Sequence, residues 1–297
     1  MRSEMVTSSP KVARYAALLI LWGLALCEGH FSDAAAQSAR NEGATWKRVV
    51  ESKTIRCGYI TYEPYAIKDP NSKALTGIMV EAVNAIGKKL DLKIDWVEEV
   101  GFGSIFEGLD SNRYDALCSG LWQNSTRGKR AYFTTPFLFN AIRVWTRADE
   151  TRFNGTADLN SPGVRIAVQD GAIEDIIAQR DFPKAQRVSI PQLNPWSETL
   201  LNIMTKKADV TFAEPTVITA FLQKNPGTLK ELATPRPLRV FAVSLPIRMG
   251  ENEFKSVLDS AISEILSDGE MEAILAKYEK APGELLRVAP PYEEPKR

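Results

Sequence analysis

Arg127 stands seven residues past Gly120, in a polar loop that follows a short apolar run, Ala116-Leu117-Cys118. A strand ending at glycine leaves backbone N–H groups, here those near Leu121 and Trp122, open to close approach by a ligand. The guanidinium beyond it supplies a planar fork matched to a carboxylate. Taken alone, such an arginine is more often a solvated charge. Glu214 follows the apolar run Val210–Phe212 and precedes Pro215, so its carboxylate belongs at a strand end, with a surface loop as the plainer reading. Tyr62 and Tyr65 lie on either side of Pro64 just after the first strand, and one of them could be simple core. With Trp122 they could line a pocket for an apolar, aromatic or cationic group, the last by cation–π attraction. Gly171 opens a helix whose first amides, at Gly171 and Ala172, favour a carboxylate.

Composition narrows what chemistry is open to these residues. The chain of 297 residues is 44% hydrophobic and 25% charged, ordinary for a globular protein of one or two domains. Its net charge is zero, which favours neither nucleic acid nor an anionic membrane surface as a partner. Residues 1–36 read as a secretory signal peptide: basic Lys11 and Arg14, an apolar stretch from Tyr15 to Leu26, and an Ala34-Ala35-Ala36 cleavage site. Twelve residues are too few to span a membrane. Leu24-Ala25-Leu26-Cys27 resembles a lipoprotein box, but Leu26 replaces the small residue needed before the cysteine, so export to the periplasm is expected over lipid anchoring at Cys27. Removing the leader leaves the charge balanced and takes away His30, the only histidine. A chain without histidine can run neither a Ser-His-Asp nor a Cys-His mechanism and has no His-ligated zinc site. The remaining cysteines, Cys57 and Cys118, form either a disulfide in an oxidising compartment or two buried thiols. Two cysteines alone call for no metal, and no cofactor is expected.

The elements that must position these residues come in two similar series. Thr54–Ile60 reads as a buried strand, and Met79, Val83, Ile86 and Leu90 recur on one helix face within Ile78–Leu90. A strand at Leu92–Val97, a helix through Ile105, Phe106 and Leu109, and the strand at Asp115 complete a βαβαβ series. That order predicts a parallel sheet covered by helices on both faces. The series restarts with a strand at Val164–Gln169 and helices over Gly171–Arg180, Ser197–Lys206 and Thr216–Gln223. Strands at Arg187–Ile190 and Ala208–Phe212 lie between those helices. Two extended runs, Ala141–Thr146 and Leu238–Leu245, cross between the series. The closing region, Phe254–Tyr278, is helical with a break at Gly269. The expected α/β architecture is a two-lobed clamshell, each lobe a mainly parallel sheet flanked by helices, joined by two hinge crossings. Residues 46–141, completed by 240–287, form lobe 1; residues 142–239 form lobe 2; residues 288–297 are a tail. Ligands of such folds sit between the carboxyl ends of the strands.

Asp115-Ala116, apolar residues, Gly120, Arg127 and then Phe133-Thr134-Thr135-Pro136-Phe137 resemble the first-lobe signature of bacterial solute-binding protein family 3, periplasmic amino-acid receptors of ABC transporters. Residues 104–116, Val168-Gln169-Asp170-Gly171, and Ala208-Asp209-Val210 followed by Glu214 resemble further family segments in the right order. The resemblance implies that Arg127 clamps an α-carboxylate and Glu214 binds an α-ammonium, with an aromatic at Tyr62 or Tyr65 against the ligand side chain. It also places the strands of Cys57 and Cys118 side by side. The sequence departs from the family at four positions: Ala172-Ile173 where it has Thr-Thr, Trp122 where it often has Thr, and Met79 where an acid is common. The expected function is capture of an amino acid or related zwitterion by hinge closure and delivery to an ABC permease, by a monomer without enzymatic activity. Alternatives are a cyclohexadienyl (arogenate or prephenate) dehydratase, with Glu214 or Glu63 as the acid, and a sensory or partner module on the same fold.

Overall fold

The computed structural model describes residues 43–289. The expected leader, with Cys27 and His30, and all but the first residues of the expected tail lie outside that range. In chain order the elements are α1 (Ala44–Ser52), β1 (Thr54–Tyr59), β2 (Ile67–Lys68), β3 (Leu75–Thr76), α2 (Ile78–Lys89), β4 (Lys93–Glu99) and α3 (Ile105–Asp110). Next come β5 (Ala116–Leu117), β6 (Leu121–Trp122), β7 (Tyr132–Phe133), β8 (Leu138–Arg147), β9 (Arg165–Gln169), α4 (Ile173–Asp181), β10 (Gln186–Ile190) and α5 (Ser197–Met204). The chain continues with β11 (Val210–Ala213), α6 (Pro215–Lys224), β12 (Leu229–Glu231), β13 (Arg239–Ser244), β14 (Pro246–Ile247), α7 (Asn252–Ser267) and α8 (Glu270–Tyr278).

These elements build two large sheets with one plan, and β2 pairs with β3 in a small third. In the first, of order β4-β1-β5-β14-β7, the three strands from the βαβαβ series run parallel, and β14 and β7 are added antiparallel. In the second, β10, β9 and β11 run parallel, and β8, β13 and β6 extend the sheet antiparallel. The long strands β8 and β13 are the two extended runs read as crossings, paired from Arg239↔Ile142 to Val243↔Leu138. Strands β6, β7 and β14 are two residues each, too short for a period-two pattern to reveal in sequence.

Each sheet pins the start of its third parallel strand with a buried aspartate. Asp115 accepts from the backbone N–H of Arg56 at 2.7 Å and from the Arg48 and Arg56 side chains. Asp209 accepts from the backbone N–H of Arg165 at 2.8 Å and from the Arg165 and Arg152 guanidiniums. Carboxylates at 4% and 1% exposure are tolerated there because each is met by charged donors. The apolar faces behave as their spacing requires: Met79, Val83 and Ile86 of α2, and Phe254, Leu258, Ile262 and Ile265 of α7, are all buried. Truncating one such leucine to alanine costs about 2–5 kcal/mol. Gly269, at φ 83°, turns the chain between α7 and α8. Cys57 of β1 and Cys118, just past the neighbouring β5, are joined as a disulfide, their Cα atoms 5.3 Å apart, a spacing ordinary for such a link.

Candidate functional site

The ends of β1, β5 and β6 on one side, and of β11 with the start of α4 on the other, line a cavity of about 40 Å³. Seven of the residues singled out in the sequence line it: Tyr62, Tyr65, Gly120, Leu121, Trp122, Arg127 and Glu214. Gly171 and Ala172 are not among its lining residues. Gly171, at φ 77°, packs its Cα face against the backbone of Gly103, where an added Cβ would come within 2.9 Å of the amide nitrogen. The Ala172 N–H is spent on the Gln169 carbonyl at 3.0 Å, because the turn into α4 closes on itself before the helix begins. The helix start instead presents Ile173 and Glu174 to the cavity.

Arg127 opens a short 3₁₀ turn and is 4% exposed. Its Nη1 donates to the Trp122 carbonyl at 2.9 Å, which aims the fork, while Nη2 is buried without a partner. Burial lowers its pKa to about 10, with the Glu174 charge acting the other way, so the guanidinium remains charged at neutral pH. The chain can turn into this loop because Gly120 adopts φ 79°, a conformation that disfavours side chains; a Cβ there would also meet Val243 Cγ1 at 2.8 Å.

Glu214 follows β11 directly and is the N-cap residue of α6, with Pro215 in the first turn. Its side chain does not cap the helix and points into the cavity, fully buried. Trp145 Nε1 donates to the Ala213 carbonyl at 3.0 Å and holds the strand end in place. The Tyr62 hydroxyl donates to Glu214 Oε2 at 3.2 Å, while Oε1 has no partner. Burial raises the Glu214 pKa to about 8; the Tyr62 hydrogen bond opposes this and the Glu174 charge adds to it. Burial, followed by the Glu214 charge, also pushes the Tyr62 and Tyr65 phenols well above their usual value, so both remain hydrogen-bond donors.

The walls are aromatic. Tyr62 stacks on Tyr65 with ring centroids 5.9 Å apart and meets Phe102, Trp122 and Trp196 edge-on. Asn140 stands between Tyr65 and Trp122; with its oxygen towards the indole it accepts from Trp122 Nε1 at 2.8 Å and donates to the Tyr65 hydroxyl at 2.9 Å. Phe102, Asn140, Glu174 and Trp196 were not singled out in the sequence. Glu174 reads there as an ordinary acid in a first helical turn, where the helix dipole favours one. Trp196 lies in a Pro-flanked connection whose place the fold alone decides. The two sides of the cavity are in contact: besides Tyr62 and Glu214, the Gln192 side chain accepts from the Gly103 N–H at 2.8 Å. Glu63, the other acid considered, is exposed beside Tyr62 and does not line the cavity.

Comparison with known proteins decides the family. Residues 55–281 match the model of bacterial extracellular solute-binding proteins, family 3. The chain belongs to that family. Among its relatives, ABC transporter arginine-binding protein 1 of Escherichia coli (strain K12) is 24% identical over 216 residues, covering 72% of this chain and 85% of that one. L-cystine-binding protein TcyA of Bacillus subtilis (strain 168) is 23% identical over 258 residues, 86% of this chain and 91% of that one. Among solved structures, an ancestral amino acid-binding protein, AncCDT-1, described as a precursor of cyclohexadienyl dehydratase, superposes with a TM-score of 0.70 at 21% identity. It covers 79% of this chain and 98% of its own. The two-lobed fold of family 3 is thus the fold of this chain. No helix among the described residues is long and apolar enough to cross a membrane.

Proposed function

We propose that this protein captures an α-amino acid or a closely related small zwitterion in the cavity and presents it to an ABC permease in the periplasm. One observation carries the reading. A buried guanidinium nitrogen of Arg127 and a buried carboxylate oxygen of Glu214, both without partners, open on the same aromatic-walled space. A buried polar group without a partner costs about 1–3 kcal/mol, more when charged. A ligand carboxylate at Arg127 and an ammonium at Glu214 remove both penalties at once. The ammonium also favours the ionised form of Glu214, so binding releases a proton near neutral pH. Membership of family 3 supports the capture role, and the names of the relatives support an amino acid as cargo.

A thermal-shift screen of ligand-stripped protein tests this against amino acids, their des-amino and des-carboxy analogues, betaines and dicarboxylates. A ligand at a hundred times its dissociation constant stabilises by about 2.7 kcal/mol. Shifts confined to compounds carrying both charged groups, and abolished in Glu214→Ala, are expected. Shifts with des-amino analogues equal to those of the parent amino acids would reassign Glu214.

A second reading draws on one further observation. A carboxyl raised to about 8 in an enclosed aromatic cavity is in the state a general acid needs. That is the condition for a dehydratase acting on arogenate or prephenate. Turnover of prephenate that disappears in Glu214→Gln would support it, and absence of turnover would retire it.

A further inference from the structure

The cavity holds a third ionisable side chain for which the fold supplies no countercharge in contact. Glu174 is 2% exposed and lines the same space as Arg127 and Glu214. Its Oε1 accepts from Trp196 Nε1 at 2.8 Å and from the Gln169 N–H at 3.1 Å. These two donors hold Oε1, the Glu174 backbone N–H adds to them, and among the described residues no other residue donates to Oε2. Arg187 goes to the next residue, Asp175, and no ion pair to Glu174 occurs among the described residues. The charged and titratable groups it faces are Arg127, Glu214 and the Tyr62 hydroxyl.

Counting charges shows what is missing. A zwitterion places its carboxylate at Arg127 and its ammonium at Glu214, and Glu174 is left over. A buried carboxylate is stable when it is protonated or when a cation stands beside it. We infer that Glu174 is a specificity residue that pairs with a second positive charge on the ligand, so that the cavity favours a small α-amino acid with a cationic side chain over a neutral one of the same shape. This rests on the reading of Arg127 and Glu214 given above. The surroundings suit the role: a cation at Glu174 stands beside Trp196 and Tyr62, whose rings meet at 5.5 Å, and ring faces attract cations. Glu174 also has a proton to give up, since burial raises its pKa to about 7 while Trp196, Gln169 and Arg127 draw it down.

The experiment compares lysine with norleucine, which has a similar aliphatic chain but no side-chain charge, in ligand-stripped wild type and in Glu174→Gln. The amide keeps an acceptor for Trp196 and Gln169. Calorimetry in buffers of different ionisation enthalpy gives affinity and proton release together. Wild type is expected to prefer lysine and to release about one more proton with it at pH 6 than with norleucine. Glu174→Gln is expected to weaken lysine on the order of 10- to 100-fold, leave norleucine unchanged or tighter, and abolish the extra proton. Equal losses for both amino acids, or equal proton release in wild type, overturn the assignment. The wild-type proton count decides the matter even if the variant fails to fold. Failure of both amino acids to bind would instead overturn the reading of Arg127 and Glu214, so the two failures are distinct.

Discussion

Glu214 makes the ligand-free protein sensitive to pH in a direction that a single substitution isolates. Burial moves its pKa from 4.5 to about 8. The unfolded chain releases this proton near 4.5, while the folded chain holds it until about 8. Between those values the native state binds the extra proton, so stability falls as pH rises, by about 1.4 kcal/mol per pH unit. Over the whole interval the loss comes to roughly 5 kcal/mol, and it is complete once pH passes the folded value. Glutamine at 214 cannot ionise and keeps an oxygen for the Tyr62 hydroxyl. Urea unfolding of stripped protein from pH 4 to 9 is the assay. Wild type and Glu214→Gln should show a constant stability difference below pH 4.5, and the variant should gain on wild type steadily up to about pH 8.5. Ligand that supplies an ammonium should flatten the wild-type curve. Parallel curves across the range would refute the claim that Glu214 is held neutral by burial.

Arg127→Ala should lower affinity for any carboxylate ligand by about 10- to 100-fold or more, since a charge-assisted hydrogen bond contributes about 1.5–3 kcal/mol; calorimetry with an amino acid and its decarboxylated amine separates this from a general loss of folding. Gln192→Ala removes the acceptor for the Gly103 N–H that joins the two sides of the cleft, and about 0.5–1.5 kcal/mol of closed state with it. Ligand release, followed by the fluorescence of Trp122 and Trp196, should quicken by roughly 2- to 10-fold, and an unchanged rate would remove Gln192 from the closure. Replacing Cys57 and Cys118 by serine should cost about 4 kcal/mol, the chain-entropy value for a loop of this length, closed across a sequence separation of 61. Melting temperatures of the double variant and of reduced wild type should fall together; no drop in either would show the link to be energetically idle.

Much of the fold was legible because its units are local. The spacing of Met79, Val83 and Ile86 dictates a helix face, and short β-branched runs such as Val164–Gln169 between helical patterns read as buried strands, so the two series and their crossings are legible. Arg127 and Glu214 stood out by their places in the family resemblance: one seven residues past Gly120, the other directly after the apolar run Val210–Phe212. The antiparallel additions β6, β7 and β14 were not legible, because two-residue strands are made by their partners and not by their own pattern. Nor were Glu174 and Trp196, which look like a dipole-stabilising acid and a loop aromatic until the Trp196 indole is seen donating to Glu174 across 22 residues of chain. Gly171 and Ala172 carried the opposite lesson, since free amides at a helix start are available only if the preceding turn leaves them so.

The sequence alone determined which residues can carry charge and where the longer strands and helices fall, because those follow from side-chain chemistry and from periods of two and 3.6. Tertiary structure alone decided that one guanidinium and two carboxylates share an enclosed aromatic cavity. Their altered proton affinities come from desolvation, a property of the surrounding volume and not of any residue in the chain.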